Sequence, residues 1–475
     1  MANYDTVVGL EVHIQMNTKS KAFCGDANSF GDEPNTNVSA VSLAHPGTLP
    51  VANAAHVHKA VQLGLALGCE INQLCFFDRK HYFYPDLPKG YQITQDNEPI
   101  CIGGSLEITT ASGPKKVEIH HIHMEEDAGK NIHDIDPKYS LLDVNRAGTP
   151  LLELVTEPCL SSGEEVFSFM AELQKLLRYI DVSDADMEKG SMRCDCNVSV
   201  KLRGTTKLGE RCEIKNLNSK RFARLAVEYE AKRQIQMLEE GVTFSKQTLH
   251  FDVDRLVTQV LREKEGVADY RYFPDPDLVP VRITDAELEE LTLAMPAMPW
   301  EEKHRLMNEH SLSAEHVDKI IEDRSHIELF DELVGEISDS RLIANFLLNQ
   351  YLPTDGAIRA RLHTSTILSY LDLLLTDQVA ASTAAQRLWP VIISNPDCDV
   401  LDEAKRLNVL IKRDEDIAAR IIREVLAAEP EKVEQYRKGK RALFGYFMGA
   451  AMRSAGGNAD PKQLKGLLSR ILSED

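Results

Sequence analysis

Glu11 and His13 occupy alternate positions of VGLEVHIQM (residues 8–16), a segment whose other members include Val8, Leu10, Val12, Ile14 and Met16. Side chains alternate across a strand, so the apolar set pins one face while a carboxylate and an imidazole are aimed together from the other. That arrangement is half of a metal site; solvated residues on the open face of a sheet are the plainer alternative. HMEEDAGK (123–130) adds Glu125, Glu126 and Asp127 after His120, His121 and His123. TPLLELVTEP (149–158) sets Glu153 within an apolar run, where a carboxylate buried without a partner would be costly. The three histidines resemble a metal set by number, but strand alternation prevents all of them from pointing inward, so none is placed among the ligands.

Other polar groups offer cations and orienting side chains. DRKHYFYPD places Arg79 and Lys80 beside Tyr82, Phe83 and Tyr84, with Pro85 as a rigid turn that presents the cations to phosphate while the rings cover a base or ribose. GSMRCDCNVSV puts Arg193, Asp195 and Asn197 at alternate positions of an expected strand, and so on one face. For Lys80 and Arg193 the alternative is an ordinary ion pair. Asp127 reads either as a further metal or outer ligand or as a loop residue ahead of Gly129. No GxxxxGK[ST] occurs, so an ATP site here is not a P-loop. Nor is there a Gly/Ser-rich amidase signature with its Ser and Lys machinery; the SSG at 161–163 sits at a helix start.

At 475 residues the chain exceeds one ordinary core, and two or three domains are expected. A net charge of −20 means that any nucleic acid must meet a local basic patch. The nine cysteines show no framework spacing, which fits reduced thiols in a cytosolic protein. The first strand begins within a few residues of Met1 and no apolar run approaches spanning length, so neither a leader nor a membrane contact is expected and the location reads as cytoplasmic.

The elements that must position these residues change character near residue 295. Before it, strand-like alternation recurs in VVGLEVHI, SLEITT, KKVEIHHI, LLELVT and NVSVKL. Two helices are expected among them, one after Ser161 and Ser162 with Glu164 and Glu165 in its first turn, the other from about Ser219 to Glu240, stopping at Gly241. After MPAMPW (295–300) the period is helical throughout, and NPDCDVLD (395–402) marks a weaker break. The expectation is a multidomain chain: an α+β domain over 1–294, a helical domain over 295–400 and a small α-helical tail over 401–475.

VGLEVHIQ, FGDEPNTNV, DRKHYFYPDLPKGYQITQ, HMEEDAGK, DVNRAGTPLLELVTEP, GSMRCDCNVSV, EIKNLNS and DYRYFPDPDLVP occur in the order seen in the B subunits of the aspartyl/glutamyl-tRNA amidotransferases, and YRKGKRALFGYFMGAAMRSAGGNADP resembles that family's tail. The resemblance covers essentially the whole chain. It implies a catalytic cradle over the first domain, in a heterotrimer with an amidase (glutaminase) partner and a small third protein. The implied reaction is ATP-dependent phosphorylation of the side-chain carboxylate of misacylated Glu-tRNA(Gln) or Asp-tRNA(Asn), then amidation with ammonia from the partner. A carboxylate needs such activation because its oxygen is a very poor leaving group. Glu11, His13, Glu126 and Glu153 match the family's metal positions, and a carboxylate-rich set with one imidazole suits Mg²⁺ or Mn²⁺. Lys80, Arg193 and Asp195 are then the expected catalytic groups, with Arg79, Lys80, Tyr82, Arg193 and Asn197 around ATP.

Some family members carry a four-cysteine zinc site. The corresponding segments here retain Cys24 with Ser39 and Ser42, so no zinc is expected. The family's tail is assigned to tRNA, and between Arg437 and Arg470 eight basic residues face one acidic residue, Asp460. Arg437, Lys438, Lys440 and Arg441 are the expected tRNA contacts; a solvated helical face is the alternative. A non-catalytic tRNA-binding scaffold would not require Glu11, His13, Glu126 and Glu153. The related archaeal-type protein carries an inserted synthetase-like domain, for which DPDLVPVRITDAELEE leaves no room.

Overall fold

The computed structural model describes residues 3–263, 270–411, 415–455 and 460–473. It divides into two compact units, Met1–Pro299 and Trp300–Asp475. The first is α+β and the second helical, as the change of sequence period requires.

In the first unit the central strand is Tyr4–Gln15, flanked antiparallel by Pro150–Thr156 on one side and Met192–Leu202 on the other. Gly113–Glu126 continues the sheet beyond Pro150–Thr156, and Cys212–Leu217 continues it beyond Met192–Leu202. Shorter strands extend both edges to ten strands among the described residues. Cys212–Leu217 and Gln247–Asp252 run parallel, which requires a crossover, and the helix Lys220–Glu239 supplies it.

One face of this sheet is dry. Val8, Leu10, Val12 and Ile14 are buried there with Cys194, Cys196 and Val198 of the neighbouring strand. The helices Gly163–Tyr179 and Lys220–Glu239 pack on each other, and the second covers Met192–Leu202. Ser162 caps the first of them, accepting from the Glu165 amide at 3.2 Å, which puts two acids in its first turn. The helices cross so closely that a Cβ on Gly163 would collide with the Arg224 carbonyl oxygen. With apolar side chains committed to that face, Glu11, His13, Arg193, Asp195 and Asn197 emerge on the other.

A helix, Asp285–Leu293, already stands ahead of the expected change at 295, held by a capping box between Thr284 and Glu287. The second unit holds an aromatic core in which Phe346 meets Trp389 edge-on at 5.1 Å and Tyr370 lies 5.3 Å from Trp389. The helix Val400–Arg406 runs across the expected border at 400/401. A separate apolar cluster further along includes Ile422, Phe447, Leu464 and Leu468. Among the described residues no helix is long and apolar enough to cross a membrane.

Candidate functional site

Strand register assembles the polar face. His13 lies opposite Glu153 on one side and Arg193 on the other, and Glu153 lies opposite His123. Glu11 lies opposite Asp195. Residues of one parity on four strands therefore converge, and Glu125 joins them because it shares parity with His123. His13 Nε2 is 3.6 Å from Glu125 Oε1 and 3.4 Å from Glu153 Oε2. The three side chains offer one nitrogen and two carboxylate oxygens, all within 4.8 Å of one another. His13 Nδ1 is buried without a hydrogen-bond partner.

The electrostatics favour positive charge at this point. Burial pulls the His13 imidazole down, but Glu153 and Glu125 outweigh it and the net direction is up. Burial pushes Glu153 up, while His123 and His13 drive it well below the usual carboxylate range. Lys80 is pulled down by burial, yet Glu125, Tyr272 and Glu153 raise it overall, so its ammonium stays charged beside the carboxylates. Its Nζ stands 5.1 Å over the Tyr270 ring. One imidazole and two carboxylates drawing on positive charge make a donor set that fits Mg²⁺ or Mn²⁺.

Glu126 is placed elsewhere. It ion-pairs with Lys89 and accepts from the Ile93 amide at 2.9 Å, on the wall of a cavity of about 260 Å³ that Asp127 also lines. Of the four expected metal residues, His13 and Glu153 come together, Glu126 does not join them, and Glu125 stands in its place. Glu11 belongs to a neighbouring acidic set with Asp195 and Glu213. Asn197 donates to Glu11 at 2.9 Å, and Lys215 bridges Asp195 at 3.0 Å and Glu213 at 2.6 Å. Burial and the Glu153 charge raise the Glu11 carboxyl, against the Asn197 hydrogen bond.

Arg193 grips Asp127 with two hydrogen bonds, 3.0 and 3.1 Å, and Gln15 donates to the same carboxylate at 2.7 Å. Burial raises Asp127, but Arg193 and Arg146 hold it far below the usual range. Arg193 thus positions the segment after Glu126 while remaining beside His13 and Glu125. Adjacent strand residues point apart, and Arg79 shows it: it pairs with Asp275 and Asp277, both at 2.7 Å, and lies 4.2 Å over the Tyr91 ring. Tyr82 packs edge-on to Tyr84 and Tyr270, at 6.0 and 6.3 Å between centroids. Sequence reasoning missed Lys215, Glu213 and Lys89; the alternation of Glu213 and Lys215 in EIKN was the available signal for the first two.

The three histidines do not all point inward, since His120 is exposed. The pairing shifts from Val155–His121 to Thr156–Ile119, so His120 is the extra residue of a β-bulge and strict alternation fails there. His120 Nδ1 lies 2.6 Å from His121 Nδ1, and His121 Nε2 lies 3.1 Å from His123 Nδ1. Burial and its two histidine neighbours lower His121 to about 4, whereas burial of His123 is overcome by Glu153 and Glu125, which raise it to about 10.

Cys24 and Ser42 also meet, with Sγ and Oγ 3.3 Å apart. Asp26 accepts from Ser42 Oγ and, at 2.9 Å, from the Ser39 amide. One thiol, neutral hydroxyls and a single carboxylate do not fit a tetrahedral zinc thiolate site. In the tail, Lys438 pairs with Glu434 at 2.5 Å, Lys440 donates to Gln435 at 3.0 Å and Arg441 lies 5.0 Å over the Tyr436 ring. Lys462 and Arg470 pair with Asp377 and Glu415, acids outside the basic window, so the local charge is partly compensated.

A profile described as the GatB/GatE catalytic domain matches residues 6–289, and one described as a GatB domain matches 328–472. The chain is 42% identical to the aspartyl/glutamyl-tRNA(Asn/Gln) amidotransferase B subunit of Chlorobaculum tepidum, over 99% of both chains. Identity to the protein of the same name in Rickettsia bellii is 40%, over 99% of this chain and 97% of that one. For Pelagibacter ubique it is 38%, over 99% and 96%.

Proposed function

This chain belongs to the family of aspartyl/glutamyl-tRNA(Asn/Gln) amidotransferase B subunits, and from that premise we propose that it activates and amidates the side-chain carboxylate of a misacylated tRNA. The substrates of this reading are Glu-tRNA(Gln) or Asp-tRNA(Asn), ATP, and ammonia released by an amidase partner. The observation that carries it is the convergence of His13, Glu125 and Glu153 beside the charged Lys80. A partner-binding scaffold has no use for a half-buried imidazole between two carboxylates, which is costly unless it does something.

The substrate carboxylate attacks the γ-phosphorus of ATP, forming an acyl phosphate and releasing ADP. Ammonia then forms the C–N bond, the C–O bond to phosphate breaks, and a proton from nitrogen leaves with the phosphate. A divalent cation held by His13, Glu125 and Glu153, with Glu11 close by, would neutralise phosphate oxygens. Lys80 adds a second positive charge at the same place. Arg193 fixes Asp127 and with it the turn that follows Glu126, while Asn197 orients Glu11. Arg79 is spent on Asp275 and Asp277, so its contribution to nucleotide binding is indirect, through the strand that carries Lys80. The tail residues Arg437, Lys438, Lys440 and Arg441 contact tRNA phosphates in this reading. The partners are an amidase and a small third protein in a heterotrimer, the compartment is the cytoplasm, and no zinc is required.

The test is product analysis with the chain purified together with its two partners. Glu-tRNA(Gln) and Asp-tRNA(Asn) are offered separately with glutamine and ATP, and ATP-dependent Gln-tRNA or Asn-tRNA is expected. Amide formation that proceeds equally without ATP would refute the activation step.

A further inference from the structure

We propose that His123 is a positioning residue for the Glu125 and Glu153 carboxylates, locked in turn by His121. The proposal rests on the cation site proposed above and assigns the histidine run that the reaction itself leaves unused.

The two carboxylates have a second imidazole besides His13, that of His123. Glu125 turns Oε1 to His13 and Oε2 to His123, at 3.6 and 3.7 Å. Glu153 Oε2 is shared, 3.4 Å from His13 and 3.3 Å from His123. Gln92 donates to Glu125 Oε2 at 3.0 Å, so that oxygen is held from a neighbouring strand as well. Two like charges this close repel, and a bridging donor keeps them converged.

His123 is itself unable to swing. Its Nε2 faces the carboxylates and its Nδ1 meets His121 Nε2 at 3.1 Å. The two rings are stacked, with centroids 5.3 Å apart and planes 18° apart. His121 and His123 share a face by ordinary alternation, but His120 reaches His121 only because it is the extra residue of the bulge. His120 is exposed, so the ladder runs from solvent to the carboxylates. Outer partners of metal ligands fix ligand orientation, and their removal typically costs about ten- to a hundred-fold in metal affinity.

The experiment is a Mn²⁺ titration of the purified full chain by electron paramagnetic resonance, without ATP or tRNA, on the parent, His123→Ala, His123→Gln, His121→Ala and His120→Ala. Thermal unfolding accompanies each variant, and electron spin echo modulation counts the imidazole nitrogens bound to the metal. Expected are one bound imidazole in the parent, about a ten- to hundred-fold weaker affinity in His123→Ala, partial recovery in His123→Gln, a smaller loss in His121→Ala and parental affinity in His120→Ala. If His123→Ala does not fold, the His123→Gln and His121→Ala affinities decide. Parental affinity in the folded His123 variants overturns the proposal while leaving the cation site intact. Two bound imidazoles in the parent, falling to one in His123→Gln, also overturn it by making His123 a ligand. No Mn²⁺ binding by the parent removes the cation site and this proposal together.

Discussion

Glu125 and Glu126 are neighbours in sequence with opposite surroundings, and the difference is one of strand parity. Glu125 follows His123 by two residues and so shares the face on which Glu153 and His13 lie, whereas Glu126 turns to Lys89 and the Ile93 amide. Glu125→Gln is therefore expected to weaken Mn²⁺ binding by about ten-fold or more. Glu126→Gln is expected to leave Mn²⁺ affinity within a factor of about two, since an ion pair away from the cation contributes little to holding it. Paired titrations of the two variants check this, and the reverse order of effects would put Glu126 at the metal. Alternation made Glu11 and His13 legible from sequence as members of one face of their strand, and Arg193, Asp195 and Asn197 as members of one face of theirs; the pairing of the two strands joins the sets. Alternation could not choose between two adjacent glutamates at a strand end, because the choice depends on which of them shares the sheet face that His123 and Glu153 occupy. A second residue-scale prediction concerns His56, fully buried with Nε2 3.2 Å from the Leu151 carbonyl oxygen and lowered by burial to about 4. The folded state then resists protonation that the unfolded chain accepts, so His56 subtracts stability as pH falls from about 6.5 toward about 4 and has no effect above that window. His56→Gln should flatten the slope of unfolding free energy against pH there; an unchanged slope would show that His56 is not its source.

At the scale of elements, the strands and the two long helices of the first unit were legible because their periods are clean and their caps explicit. Ser162 and Ser219 stand at the expected helix starts, although only Ser162 makes the side-chain cap bond. The bulge at His120 was not legible: an inserted residue is defined by its partner strand, and His120 and His121 carry no turn residue to mark it. Nor was the helix Asp285–Leu293, whose apolar positions leave none of its residues buried. The close crossing of the Gly163–Tyr179 and Lys220–Glu239 helices makes a further prediction. Gly163→Ala drives a methyl group into a backbone oxygen that has no flexible end to yield, so a loss of about 1–3 kcal/mol is expected. Denaturant unfolding of the variant measures it, and a gain in stability, as a plain glycine-to-alanine change in a helix would give, would contradict the crossing.

At the scale of the whole molecule, the division into an α+β unit and a helical unit followed from a change of period near MPAMPW, and the structure divides at Pro299. The charge of the tail was only half legible, since counting within a sequence window omits Glu434, Asp377 and Glu415, which approach Lys438, Lys462 and Arg470 from nearby or distant positions. A cation already paired releases fewer counterions on meeting a phosphate than a free one. Reversing Lys438, Lys440 and Arg441 together should therefore weaken tRNA binding with a shallower dependence on salt, the slope changing by less than the roughly 0.9 per residue of a fully free cation. Binding curves that superimpose on the parent at low and moderate salt would make this cluster a solubilising surface. The central claim, that the His13, Glu125 and Glu153 cluster activates a tRNA-borne carboxylate with ATP, has a more direct test. In the assembled complex, with ammonium chloride replacing glutamine, ADP formation that depends on misacylated tRNA is measured for the parent, His13→Ala and Glu153→Ala. The account predicts ADP and amidated tRNA in equal amounts from the parent and a fall of about a hundred-fold or more in both products from each variant; near-parental rates from both variants would contradict it.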